Sequence, residues 1–222
     1  MSGPVPLTAV AAVARRDGLA AGLTAAFDLR EPVACSRQGR TLVPPGLLPV
    51  VGSWSIGGVT YPAARCRVEI EPSALARLEQ LVRIRVIPAT VDPAGPSSGG
   101  PPARGPAALA AVRAGLDRRL LGGAIDTLAR RVSDGAPLTD RQLVRAEIAE
   151  IAVVLETVES ALSAGMTPAQ ASLWHDELDR ADQALARLVG GAGYLDDHPV
   201  RALRLVALLR DVAAPAGERL AA

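Results

Sequence analysis

Beyond residue 107 the chain repeats apolar residues at three- and four-residue steps, a period that only a helix turns into one continuous face. Over 107–132 the stripe is Leu109, Val112, Leu116, Leu120, Ala124 and Leu128. Over 140–164 it is Leu143, Ile148, Ile151, Val154, Leu155 and Val158. Thr167 followed by Pro168 supplies a capping hydroxyl and a first-turn proline for a third helix, which runs to about Val189 and stops at Gly190 and Gly191. A last helix is expected over 199–213. Four helices with short connections hide their apolar faces only against one another, so an antiparallel four-helix bundle follows.

The preceding half has another texture. Residues 91–106 are crowded with Pro and Gly, which remove backbone donors and raise chain entropy, and mark a linker. Before it, 7–27 is rich enough in Ala and Leu for a helix, which Gly18 and Gly22 threaten to break in two. Short β-rich runs then occupy 41–43, 50–56, 66–70 and 82–87, with a helical turn at 73–80. Arg67 and Glu69 alternate with Val68 and Ile70, as in a strand with one wet face. The expected fold class is α+β, mainly α. A short helix and small β region span 1–91, a linker 92–106, and the helical bundle 107–222.

Of the 222 residues 49% are hydrophobic, ample for a core, and 24 basic against 23 acidic residues give a net charge of +1 with no basic block. That balance excludes the electrostatic footprint of a nucleic-acid binder. No apolar run reaches the roughly 20 residues of a membrane helix, and the start Met1-Ser2-Gly3-Pro4 lacks the pattern of a secretory signal, so a cytoplasmic protein is expected. Every basic residue is Arg. Without Lys there is no Schiff-base nucleophile, no pyridoxal attachment and no P-loop lysine. Cys35 and Cys66 have neither metal-ligand spacing nor a neighbouring His and read as two buried free thiols. No metal site is expected. Aromatic residues are 2% of the chain, so any pocket should be aliphatic.

Two ordered motifs lie in the helical half. Arg131, Asp134, Gly135, Pro137 and Leu138 are followed by Gln142, Val144, Ile148, Ala149 and Ile151; farther on come Arg187, Gly190, Gly191, Gly193 and Tyr194, then Pro199 and Val200. This succession resembles the carboxyl-terminal helical domain of the acyl-CoA dehydrogenases, over about residues 107 to 209. The resemblance implies a homodimer, or a hetero-oligomer with a full-length dehydrogenase. It also implies cofactor-binding roles, if FAD is bound, for Arg131 (the phosphates), Gln142, Gly190 and Gly191. Read without it, Arg131 is a solvated cation at a helix end and the glycines are a helix cap.

The chain departs from the family where the chemistry would be. Asp134 stands at the aromatic position, Arg187 at that of a Gln, Leu205 and Val206 at an Arg-Asp pair, and Ala214 at the catalytic Glu. Glu218 is four residues out of register. The family's amino-terminal helical domain has at most one counterpart, over 7–27. The expected function is therefore a diverged protein of this fold that acts on an aliphatic acyl or polyketide-like intermediate, with no cofactor, as a cyclase or isomerase. The alternatives are an FAD-dependent oxidoreductase subunit and a non-catalytic partner of a dehydrogenase. Candidate catalytic residues are His175, between Trp174 and the acids Asp176 and Glu177, and Asp197 and His198, after the glycine turn. The plainer and favoured reading takes His175 as a helix-face histidine beside solvated acids, and Asp197 and His198 as an exposed loop.

Overall fold

A computed structural model describes residues 4–27, 31–89, 104–190 and 198–213. The helical half forms as its periodicity predicts: α4 (Gly105–Arg130), α5 (Gln142–Ala164), α6 (Pro168–Val189) and α7 (Ala202–Ala213). Thr167 and Gln170 close a reciprocal capping box at the start of α6. Helix α4 is the axis of the molecule. Every residue over 106–117 is buried, so this half of the helix has no wet face at all. On α5 only Ile151, Leu155, Val158 and Leu162 are buried. Leu143, expected on the buried stripe, is 84% exposed.

The chain breaks at Gly18 into α1 (Leu7–Asp17) and α2 (Leu19–Ala26), with Gly18 at φ +93°. Both pack on α4 and share one core with the bundle, including Val10, Ala14, Leu19 and Leu23. The approach is close because of what is missing at Gly115: a Cβ there would lie 2.1 Å from the Ala11 carbonyl oxygen.

Six strands make two small sheets. β1 (Val33–Cys35) runs parallel to β3 (Ser53–Ile56), which pairs antiparallel with β4 (Val59–Pro62); β2 (Arg40–Val43) and β5 (Cys66–Glu71) flank β6 (Val82–Pro88). The helical turn is α3 (Ala74–Leu78), capped by the Ser73 hydroxyl. Val33, Cys35, Val43, Trp54, Ile84 and Val86 pack between the sheets. β2 belongs to both cores: the pleat sends Val43 into the sheets' core and its neighbour Leu42 into the helical one. Cys35 is a buried free thiol, pushed up to about 12 by burial and then by Cys66. Cys66, expected buried as well, is free and only partly covered.

One polar cluster is sunk in the α4–α6 interface. Arg113, on α4, is 0% exposed. One of its terminal nitrogens, Nη2, donates to Asp179 Oδ1 at 2.6 Å and to Asp182 Oδ2 at 2.9 Å; the other, Nη1, donates to His175 Nδ1 at 3.0 Å. Accepting at Nδ1 leaves the His175 proton on Nε2, which donates to the carbonyl of Pro106 at 3.1 Å and so ties down the first turn of α4. One turn past Arg113, Asp117 is fully buried near Asp182, and neither of its carboxyl oxygens has a hydrogen-bond partner among the described residues. Burial, and then the Asp182 charge, hold Asp117 well above the usual carboxylate range.

His175 is thus a core residue, with 5% exposure, and the reading of a histidine beside solvated acids is corrected. Its spacing explains why. Ala171, His175, Leu178, Asp182 and Leu185 recur at helical steps along the inner face of α6, which turns Glu177 outward.

Two predictions follow from this packing. Gly115→Ala drives its new methyl into the Ala11 carbonyl and is expected to cost roughly 3 kcal/mol in urea unfolding. Gly122→Ala, in the same helix but facing open space, is expected to gain about 0.5–1 kcal/mol. His175 is held down to about 4, from 6.5, by burial and then by the Arg113 charge. A lowered histidine contributes stability above its unfolded value that is lost as pH falls toward the folded one. A displacement of that size carries about 3 kcal/mol, so the stability gap between wild type and His175→Gln should close by about that amount between pH 6.5 and 4.

Candidate functional site

Two concavities lie toward opposite ends of α4, one lined by its residues 105–109 and the other by its residues 119–130. The first is a crevice of about 110 Å³ between α2, the start of β1, β2, α7 and the first turns of α4. Its walls are aliphatic, with Leu23, Phe27, Val33, Leu42, Leu109 and Val212 prominent. Glu31, Thr41 and Arg104 are its polar side chains. Glu31 lies two residues before β1, and Arg104 is the residue that precedes α4. No side chain caps the N-terminus of α4, so the positive end of its dipole also meets this crevice through Gly105. Neither Glu31 nor Arg104 carried a signal in the sequence; each flanks an element, and folding brings them together.

The second is a cleft of about 760 Å³ at the far end, lined by Arg119, Thr127, Arg130, Arg131, Val189 and His198, among others. Here the two sequence motifs meet. Residues 131–138 fold into a hairpin of β7 (Val132–Ser133) and β8 (Ala136–Pro137), closed by the Leu138 N–H donating to the Arg131 carbonyl at 2.8 Å. Asp134 at φ +51° and Gly135 at φ +79° make the turn, an Asp-Gly pair in the mirror-image geometry that two-residue hairpins favour. The Asp134 carboxylate accepts from Arg141 Nη2 at 2.8 Å, so a cation accompanies its charge. Arg131 is exposed, with no side-chain partner among the described residues.

The other sequence candidates are dispersed. Gly190, at φ +64°, caps α6 through its N–H, beside the cleft-lining Val189. His198 lines the cleft, and its Nδ1 accepts from the Val200 N–H at 3.2 Å, capping the 3-10 turn Pro199–Arg201. Gln142 is exposed at the start of α5 and does not line the cleft. Arg187 pairs with Glu147 at 2.7 Å, joining α6 to α5. Leu205 and Val206 are buried, 1% and 0% exposed, which suits the apolar residues found there. Gly191, Gly193, Tyr194, Asp197, Ala214 and Glu218 lie outside the described residues, as does most of the expected linker. No group of side chains suited to a metal ion occurs among the described residues, and no helix among them is long and apolar enough to cross a membrane.

No protein-family model matches this chain, and no curated protein does. Solved structures do match. FkbI, for biosynthesis of the methoxymalonyl extender unit of a polyketide immunosuppressant, superposes with a TM-score of 0.55 at 20% identity over 76% of this chain and 56% of its own. The ChsE4–ChsE5 complex from Mycobacterium tuberculosis gives 0.55 at 18% identity, over 84% and 60%. A glutaryl-CoA dehydrogenase from Mycobacterium smegmatis in complex with FADH2 gives 0.53 at 15%, over 77% and 52%. The chain therefore spans between half and two thirds of the length of these structures. At such identities the likeness is one of architecture, and the architecture of this chain is the acyl-CoA dehydrogenase fold.

Proposed function

We propose that this chain binds a short aliphatic acyl group in the crevice at the start of α4 and acts on it without a redox cofactor, as an isomerase or cyclase of an acyl or polyketide-like intermediate in the cytoplasm. The observation that carries the reading is the crevice itself, an aliphatic slot with one carboxylate and one guanidinium among its lining residues. Its volume is well below that of a pocket for a drug-sized ligand and suits a chain of a few carbons. Ala214 at the register of the family's catalytic Glu argues for chemistry other than dehydrogenation. The fold shared with FkbI supports a place beside extender-unit or polyketide chemistry. A homodimer through bundle faces is part of the proposal, supported by the exposed Leu143 and Val153 of α5.

The cleft at the other end of α4 favours a second reading, in which the chain binds FAD as an oxidoreductase subunit or as the partner of a longer dehydrogenase. Arg119, Arg130 and Arg131 suit the phosphates of such a cofactor, since guanidinium groups give paired donors to anionic oxygens. When bound, the flavin would supply hydride acceptance. Arg131 would hold its phosphates and Gly190 would present backbone to it.

Calorimetric titration with butyryl-pantetheine separates these readings. Binding is expected in wild type, weakened by about tenfold or more in Ala26→Trp, which fills the half-buried mouth of the crevice, and unchanged in Arg131→Ala. A visible flavin band that survives gel filtration with added FAD, and is lost in Arg131→Ala, would establish the second reading instead. Mass measured during the same filtration tests the dimer.

A further inference from the structure

We infer that Glu31 is the catalytic base of the crevice, taking a proton from the carbon next to the acyl carbonyl while Arg104 holds the oxyanion that forms. This inference rests on the acyl-binding reading above and adds to it a reaction and two roles.

Elimination among the lining residues leads to Glu31. An isomerisation or cyclisation of an acyl chain needs a group that accepts and returns a proton near neutral pH. Most of the wall is hydrocarbon. The hydroxyl of Thr41 ionises far too high, and a guanidinium such as Arg104 stays protonated. Glu31 remains, half-buried, with no ion pair to any described residue. Occupation of the slot by an aliphatic chain strips water from around this carboxylate and leaves the reacting carbon as its neighbour. Arg104 is half-buried and likewise has no partner among the described residues, so its charge is available to the ligand.

The step balances within the site. The Glu31 carboxylate takes the α-proton, and the C–H electron pair becomes the enolate, whose oxygen faces Arg104. The proton on Glu31 then returns to the same carbon, or to the γ-carbon when the chain is unsaturated, which moves the double bond. No oxidant or reductant enters, and the carboxylate is regenerated. Attack of the enolate on a second carbonyl in a longer chain would begin a cyclisation by the same proton removal.

Deuterium exchange tests the inference apart from the reading beneath it. Butyryl-pantetheine is incubated with the full chain in D2O and followed by proton NMR, alongside the calorimetric titration. Wild type is expected to exchange the α-protons, and Glu31→Gln to exchange them roughly 10²- to 10⁴-fold more slowly while binding the thioester with wild-type affinity. Glu31→Asp is expected to recover part of the rate, and Arg104→Gln to lose rate more than affinity. Unchanged exchange in Glu31→Gln, loss of binding in that variant, or a wild type that binds without exchanging, would each overturn the role of Glu31 and leave the crevice reading in place. A wild type that does not bind would instead remove the crevice reading.

Discussion

A guanidinium sealed from water at the centre of a helix pair sets conditions on everything around it. Arg113 has no solvent to fall back on, so its charge must be met by protein, and Asp179, Asp182 and His175 meet it from a single face of α6. Those acceptors fit at one rotation and one offset of the two helices. Leucines and alanines alone would tolerate several. The cluster therefore fixes the register of α4 against α6, and through the His175 bond to Pro106 it fixes the first turn of α4 as well. That turn is a wall of the aliphatic crevice. The placement of Arg104 and Gly105 in the crevice that Glu31 also lines thus depends on a polar contact buried in the bundle.

The facing carboxyl groups sharpen the point. Asp117 has no cation of its own and sits against an aspartate already committed to Arg113. Two buried like charges are untenable, so Asp117 is held in its protonated form beside Asp182. Both of its oxygens lie in the helix interface with no hydrogen-bond partner among the described residues, a cost that the contacts of Arg113 and the apolar packing offset.

Much of this was legible in the sequence, and the reasons are specific. Helical period, the Thr167-Pro168 start and the glycine stops mark the four bundle helices because those signals act within a few residues. Gly18 marks a break for the same reason. β1 and β4 left no comparable trace: the first is three residues whose partner is a strand twenty residues on, and the second ends in Pro62. His175 was misread because its neighbours are charged, although its step from Ala171 and Leu178 places it inward. Asp134 departs from the aromatic residue that the sequence resemblance implies at its position, yet locally it is half of a good hairpin turn. Glu31 and Arg104 have no local signature, since their meaning comes only from lining one crevice.

The fit of α1 onto α4 carries a consequence for the order in which the chain is built. Ala11 packs against Gly115 more than a hundred residues later, with no room between the backbones for a methyl group. During synthesis α1 and α2 leave the ribosome with the faces that meet α4 bare, and these wait until α4 is made. Residues translated early are thus enclosed late.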